Sequence, residues 1–433
     1  MNIAVIGMGY VGTTTALVLA ELGWNVIGVD TDERKIKALQ QGKMYFYEPG
    51  LEELLVKHID SGRVAFTTDS KGVIEHNELI FICVGTPSFS DGSANLSYIE
   101  AVAKDIGRYM NSYKLVVTKS TVPVGTQEQI TSWIQEIQEK EGNTQPFDAA
   151  SNPEFLREGK ALSDALHPDR IIIGTESKRA SELLRLLYQS AECPIVFTSP
   201  RTAELIKYAS NAFLAVKISY MNELARLCDK LGIQSKDIAY GMGLDPRIGS
   251  QFLRAGIGFG GSCFPKDVSA LLKTAELEQE ELKIVKAAAN VNATQPIYML
   301  NKMKLRLKGL SGKKIAVLGL AFKPDTDDVR EAPAMVIMDG LLKAGAFIQA
   351  HDPIAELPEA YKKSSVRWYD AAEDAIVGTD AVLICTEWPI YAAINWDELR
   401  GQMRQPYLFD GRNMLDPEKM KKLGFYYEGI GGT

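Results

Sequence analysis

Six residues near the start constrain this chain more than any other stretch: Gly7-Met8-Gly9-Tyr10-Val11-Gly12, set between the β-branched run Ile3–Ile6 and a helical pattern over Thr13–Leu22, with a second strand at Asn25–Asp30. Strand, glycine turn, helix and strand in thirty residues define a parallel βαβ unit. Each position has a task. Gly7 permits the tight turn, Gly9 lets a pyrophosphate approach the backbone, Gly12 allows close helix–strand packing, and Asp30 suits ribose hydroxyls. The N-terminus of the helix that follows offers unpaired N–H groups and partial positive charge to phosphates. A glycine-rich turn with a purely structural role is the alternative, and the acid closing the next strand is what favours dinucleotide binding. Because Asp30 repels a 2′-phosphate, the expected cofactor is NAD⁺ rather than NADP⁺.

Further units of the same kind follow. Glu78–Val84, Lys114–Thr118 and Asp169–Ile173 read as buried strands, the first two running into the small-residue loops Gly85-Thr86-Pro87 and Ser120-Thr121-Val122-Pro123. Ser199-Pro200 then opens a stretch without Gly or Pro to Leu231, a long helix, and a second helical stretch runs from about Val268 toward Leu307. Lys313–Leu320 restarts the α/β pattern, with strands at Phe347–Ala350, Asp380–Cys385 and Tyr407–Phe409. Glu78–Pro87 echoes Asp380–Pro389, and Ile3–Gly9 echoes Ile315–Ala321. The expected fold is α/β: two Rossmann-like doubly wound parallel-sheet domains, 1–198 and 311–433, joined by a central helical domain, 199–310, built on the long helix.

With 433 residues, two or three domains are expected, and a net charge of −7 disfavours nucleic-acid and anionic-membrane partners. Met1–Trp24 lacks the basic start of a signal peptide and is interrupted by glycines, no apolar run reaches the ~20 residues that cross a bilayer, and neither end shows a lipidation signal. A cytoplasmic protein is expected. Cys83, Cys193, Cys228, Cys263 and Cys385 are odd in number and lack CxxC spacing, so they read as free thiols with no metal site.

Cys263 stands where Gly258-Phe-Gly260-Gly261-Ser262 runs into a helix. Glycines let a substrate approach, and both the helix start and Lys266 favour the thiolate; a buried, inert thiol is the alternative. Lys207 and Asn211, one helical turn apart, could grip one oxygen or simply face solvent. Asn152-Pro-Glu154-Phe155-Leu156-Arg157-Glu158 presents two carboxylates after a strand, or forms a surface turn.

Taken together, the motifs resemble the UDP-glucose/GDP-mannose 6-dehydrogenase family over essentially the whole chain: GMGYVG at 7–12, VGTP at 84–87, KSTVPVGT at 119–126, NPEFLREG at 152–159, ELIKYASNAFLA at 204–215, GFGGSCFPKD at 258–267, GLAFKPDTDDVR at 319–330 and FDGRN at 409–413. The resemblance implies a four-electron oxidation of a nucleotide-linked hexose with Cys263 as covalent nucleophile. An aldehyde has no hydride to give until a nucleophile makes its carbon tetrahedral, and a thiolate does so, leaving a thioester for water to cleave. Lys207 and Asn211 then look like the oxyanion and water-positioning pair, Asp267 like a general base, and Glu154 with Thr121 like partners of the hydrolytic water. Tyr10, Val11, Asp30, Lys35, Thr86, Thr121, Glu158, Lys266 and Arg330 resemble cofactor contacts. Glu154, Phe155, Leu156, Arg157, Glu158, Lys207, Asn211, Phe252, Leu253, Arg254, Ala255, Gly256, Gly260, Lys323 and Arg412 resemble sugar-nucleotide contacts, and Arg247 an arginine reaching across a dimer built on the long helix. GFGGSCFPKD and NPEFLREG look most like the UDP-glucose branch; GDP-mannose, a UDP-N-acetylhexosamine, or a two-electron β-hydroxyacid reaction are the rivals. The C-terminal Gly319-Leu-Ala321-Phe-Lys323 departs from the first turn by lacking its glycines, which suits the substrate's nucleotide rather than a dinucleotide.

Overall fold

A computed structural model describes residues 2–432. The chain forms two compact units, Met1–Ser210 with Ser269–Gln279, and Asn211–Val268 with Glu280–Thr433. Among the described residues no helix is long and apolar enough to cross a membrane.

In the first unit the strands are β1 (Asn2–Ile6), β2 (Asn25–Val29), β3 (Val64–Thr67), β4 (Leu79–Ile82), β5 (Lys114–Thr118), β6 (Phe147–Ser151), β7 (Ile171–Gly174) and β8 (Ile195–Thr198). They lie in the order β3-β2-β1-β4-β5-β6-β7-β8, and as far as β6 this is the doubly wound arrangement that places β1 and β4 at the reversal point. One pairing departs from the expected parallel sheet: β7 meets β6 antiparallel through Ser151 and Gly174. Alternation along the central strands explains why both faces are covered. Ile3, Val5, Phe81, Leu115 and Val117 pack on one side with Leu17, Leu39 and Leu55, while Ala4, Ile6, Ile80, Ile82 and Val116 pack on the other with Ile99, Ile106, Ile130 and Ile134.

The second unit repeats the plan with β9 (Lys314–Leu318), β10 (Phe347–His351), β11 (Val366–Trp368), β12 (Ala381–Ile384), β13 (Tyr407–Asp410) and β14 (Tyr426–Glu428), ordered β11-β10-β9-β12-β13-β14 and parallel throughout. The sequence echo is therefore structural: Gly7 N donates to Val29 O at 2.7 Å, and Gly319 N to His351 O at 2.8 Å.

Pro200–Leu231 is a single helix of 32 residues. Two helical expectations need correction. The first helix starts at Tyr10, not Thr13, because Gly9 itself is the N-cap. The stretch from Val268 toward Leu307 is two helices, Phe264–Leu277 and Lys283–Arg306, broken where Gln279 turns left-handed at φ 60. Glu276, Glu278, Glu280 and Glu281 crowd this end, and carboxylates disfavour a helix C-terminus.

Candidate active site

The glycine turn of the first unit shows why each glycine is there. Gly7 has φ 98, and a Cβ on it would stand 2.7 Å from Val84 N. A Cβ on Gly12 would stand 1.8 Å from Gly7 O, so the helix is docked against the turn by the missing side chain. Gly9 is different: a Cβ there would meet nothing within 4 Å. Gly9, Tyr10 and Val11 are half-buried, the helix they open has no side-chain cap and no acid in its first turn, and its dipole and amides are thus left for an anion. Asp30 closes the turn, accepting Met8 N at 2.8 Å and Asp32 N at 2.9 Å, with Lys35 Nζ 3.6 Å from Oδ2. These residues fit a dinucleotide.

The loops after β4 and β5 are tied together where Thr86 Oγ1 donates to Thr121 O at 2.8 Å and Ser120 Oγ to Val84 O at 2.7 Å. After β6, Glu154 is buried and meets Lys207 from the long helix at 3.0 Å, their side chains 6% and 4% exposed. Phe155 takes the Lys207 ammonium 5.4 Å and the Arg170 guanidinium 4.0 Å from its ring centroid. Leu156 and Glu158 are half-buried. Arg157 is largely committed elsewhere, gripping Asp164 through Nε at 2.9 Å and Nη2 at 2.6 Å. Tyr10 donates its hydroxyl to Glu48 Oε2, which also accepts Gly159 N at 2.7 Å; burial and this carboxylate push the phenol far up.

In the second unit the glycine loop is braced from beneath. Gly256 N donates to Asn222 Oδ1 at 2.8 Å, Gln295 Nε2 donates to Gly256 O at 2.9 Å, and Asn292 exchanges hydrogen bonds with both Phe259 N and O, at 2.8 and 3.0 Å. Gly260 has no room for a side chain, since a Cβ would be 2.2 Å from Glu331 O. The loop delivers Cys263, half-buried, to the N-cap of the helix Phe264–Leu277, where Cys263 O accepts Asp267 N at 2.8 Å. Asp267 is 1% exposed. Its two oxygens take Asn211 Nδ2 at 2.7 Å and Lys266 Nζ at 2.8 Å. Lys266 thus faces a carboxylate, and Cys263 stands at a helix start.

Arg412 fastens three segments, donating to Cys385 O at 2.7 Å, Gly258 O at 2.9 Å and Phe322 O at 3.1 Å. Lys323 is half-buried with its ammonium 5.3 Å from the Phe322 ring. Arg330 pairs with Asp328 at 2.8 Å, and Arg247 is exposed and pairs with Asp245 at 2.6 Å. Leu253 and Ala255 are buried and Arg254 exposed. Phe252 holds φ 63, rare for a bulky residue and a mark of functional loops.

Sequence reasoning missed Glu48, Lys119 and Asp352. Lys119 Nζ reaches Asn152 Oδ1 at 3.3 Å, and burial lowers its pKa. Asp352 is the counterpart of Asp30: its Oδ2 accepts Leu320 N at 2.7 Å as Asp30 accepts Met8 N. The strand-end position in the internal echo was the signal for it. After Gly319 the next helix begins only at Pro333, so this copy offers no helix N-terminus beside its turn.

Three family models match in order: residues 1–192 the NAD binding domain, 201–294 the central domain and 316–417 the UDP binding domain of the UDP-glucose/GDP-mannose dehydrogenase family. The UDP-glucose 6-dehydrogenase TuaD of Bacillus subtilis is 43% identical across 99% of this chain and 93% of its own length. Among solved structures, a UDP-glucose dehydrogenase from Pyrobaculum islandicum aligns at TM-score 0.93 and 40% identity, covering 100% of this chain and 98% of that one. A UDP-D-ManNAc dehydrogenase from Pyrococcus horikoshii aligns at 0.89 and 30% identity, covering 100% and 99%.

Proposed function

Given that the chain belongs to the UDP-glucose/GDP-mannose dehydrogenase family, we propose that it is an NAD⁺-dependent UDP-glucose 6-dehydrogenase, converting UDP-glucose and water to UDP-glucuronate with reduction of two NAD⁺. The observation that carries the four-electron reading is Cys263 at a helix N-cap at the end of the braced glycine loop, beside the buried Asp267. A dehydrogenase that stopped at the aldehyde would have no use for a thiol so placed.

Residues 1–198 hold the cofactor, through Gly7, Gly9, Tyr10, Val11, Gly12, Asp30, Lys35, Thr86, Thr121 and Glu158, with Lys266 and Arg330 contributing. NAD⁺, when bound, supplies the hydride acceptor for each oxidation. Cys263 Sγ adds to the C6 aldehyde carbon, making the tetrahedral thiohemiacetal, which, unlike the free aldehyde, has a hydride to lose. The resulting thioester is cleaved by water, which Glu154 and Thr121 position, and the thiolate leaves. Lys207 and Asn211 stabilise charge on the C6 oxygen, and Asp267 accepts the proton released there. Of the groups in this chemistry, residues 199–310 supply Cys263, Lys207, Asn211 and Asp267, while residues 311–433, with Lys323 and Arg412, hold the UDP moiety. Phe252–Gly256 and Gly260 line the sugar.

The protein works as a cytoplasmic homodimer. Phe213, Tyr220, Leu227 and Leu231 are 65, 49, 50 and 61% exposed at spacings of seven, seven and four, one apolar stripe along the long helix that a second copy would cover, with Arg247 reaching the neighbouring subunit. Purified protein offered UDP-glucose, GDP-mannose and UDP-N-acetylmannosamine with NAD⁺ is expected to turn over UDP-glucose with the highest kcat/KM. Preference for either other sugar reassigns the substrate, and no turnover of any would overturn the dehydrogenase reading.

A further inference from the structure

Glu204 lies one turn before Lys207 on the long helix and is 2% exposed. Its carboxylate reaches out of that helix: Gly125 N donates to Oε2 at 2.7 Å and Gln127 N to Oε1 at 2.8 Å. These amides start the helix Thr126–Glu141, whose N-cap Gly125 sits at φ 92 with no side chain to supply an acceptor. A few residues upstream in the same loop, Thr121 accepts the Thr86 hydroxyl; one turn downstream of Glu204, Lys207 holds Glu154. We propose that Glu204 is a positioning residue for the reaction, locking the loop that presents Thr121 to the helix turn that presents Lys207. The inference rests on the dehydrogenase reading above.

The grip needs two acceptors, and an ionised carboxylate supplies one for each amide. Protonation turns an O–H, and glutamine an NH₂, toward a donor, so one of the two bonds is lost. The charged groups facing Glu204 are Glu128 on the capped helix and Arg201 on its own, and these two bind each other twice at 2.6 Å. Burial outweighs the two amides and raises Glu204 to about 7. The grip is therefore full above neutrality and weakens below it.

The test compares kcat for UDP-glucose oxidation between wild type and Glu204→Gln at pH 6 and pH 8, with hydrogen exchange of the 121–127 segment followed in parallel. At pH 8 the variant's kcat should fall about tenfold, the scale of a sub-ångström misplacement, with KM within about twofold. The ratio should shrink toward one at pH 6, and one of the two amides, Gly125 or Gln127, should lose protection. A ratio of one at both pH values, a ratio independent of pH, or unchanged protection would overturn the proposal. Glu204→Asp keeps both acceptors and should retain the wild-type pH dependence at reduced kcat; loss of that dependence overturns it as well. If wild type itself oxidises no nucleotide sugar, the dehydrogenase reading fails, and the amide exchange still decides the grip.

Discussion

Two glycines three residues apart should respond to the same methyl group in opposite ways. At Gly12 the added Cβ lands 1.8 Å from the Gly7 carbonyl oxygen and 3.1 Å from the Cys83 Cβ. Backbone must move, since neither neighbour is a flexible side-chain end. Overpacking of this kind costs up to about 3 kcal/mol, and at roughly 2–4 °C per kcal/mol for a unit of this size, Gly12→Ala should lower Tm by roughly 6–12 °C. At Gly9 the Cβ meets nothing within 4 Å, and φ −77, ψ −169 suits alanine. Only the N-cap preference is lost, about 1 kcal/mol or less. The methyl would, however, occupy the approach to the exposed amides, and losing about two hydrogen bonds to a charged phosphate costs about 3 kcal/mol, more than a hundredfold in Kd. Thermal unfolding and NAD⁺ titration of both variants read this directly. Wild-type NAD⁺ affinity in folded Gly9→Ala, or an unshifted Tm in Gly12→Ala, would refute the reasoning.

Lys207→Met should destabilise the protein by about 3–5 kcal/mol by leaving Glu154 buried without its partner; Lys207→Met with Glu154→Gln should recover most of that in denaturant unfolding while activity stays lost. Glu204 gives a pH signature in stability. Its folded pKa, about 7, lies above the ordinary 4.5, so the folded state binds more protons between those values. Stability should therefore fall by about 3 kcal/mol as pH rises from 4.5 through 7, and Glu204→Gln should remove that slope. Phe213→Glu with Leu227→Glu should shift the sedimenting species from dimer to monomer, and an unchanged dimer would move the interface off the long helix.

How much of this was legible in the sequence depended on how local the physics is. The turn at Gly7 and the close packing at Gly12 could be read because each is set by backbone geometry within one βαβ unit. The two parallel sheets followed from buried strands such as β4 and β12, whose apolar runs announce cover on both faces. Short edge strands such as Val366–Trp368 and Tyr426–Glu428 carried too few residues to show a period. The helix break at Gln279 had no Gly or Pro to mark it. Partners distant in the chain were invisible: Glu204 meets Gly125 across 79 positions, and Glu48 meets Gly159 across 111. Arg412 was legible only as a cation in a motif; that it also ties Cys385, Gly258 and Phe322 together through their backbone carbonyls depends on partners far away in the chain.

The most direct test of a thiol-dependent four-electron oxidation is to count NADH formed per UDP-glucose consumed, in wild type and in Cys263→Ala. Two NADH and one uronate per sugar are predicted for wild type, with no uronate from the variant although it still binds NAD⁺. One NADH per sugar in wild type, or undiminished acid production by Cys263→Ala, would contradict the account.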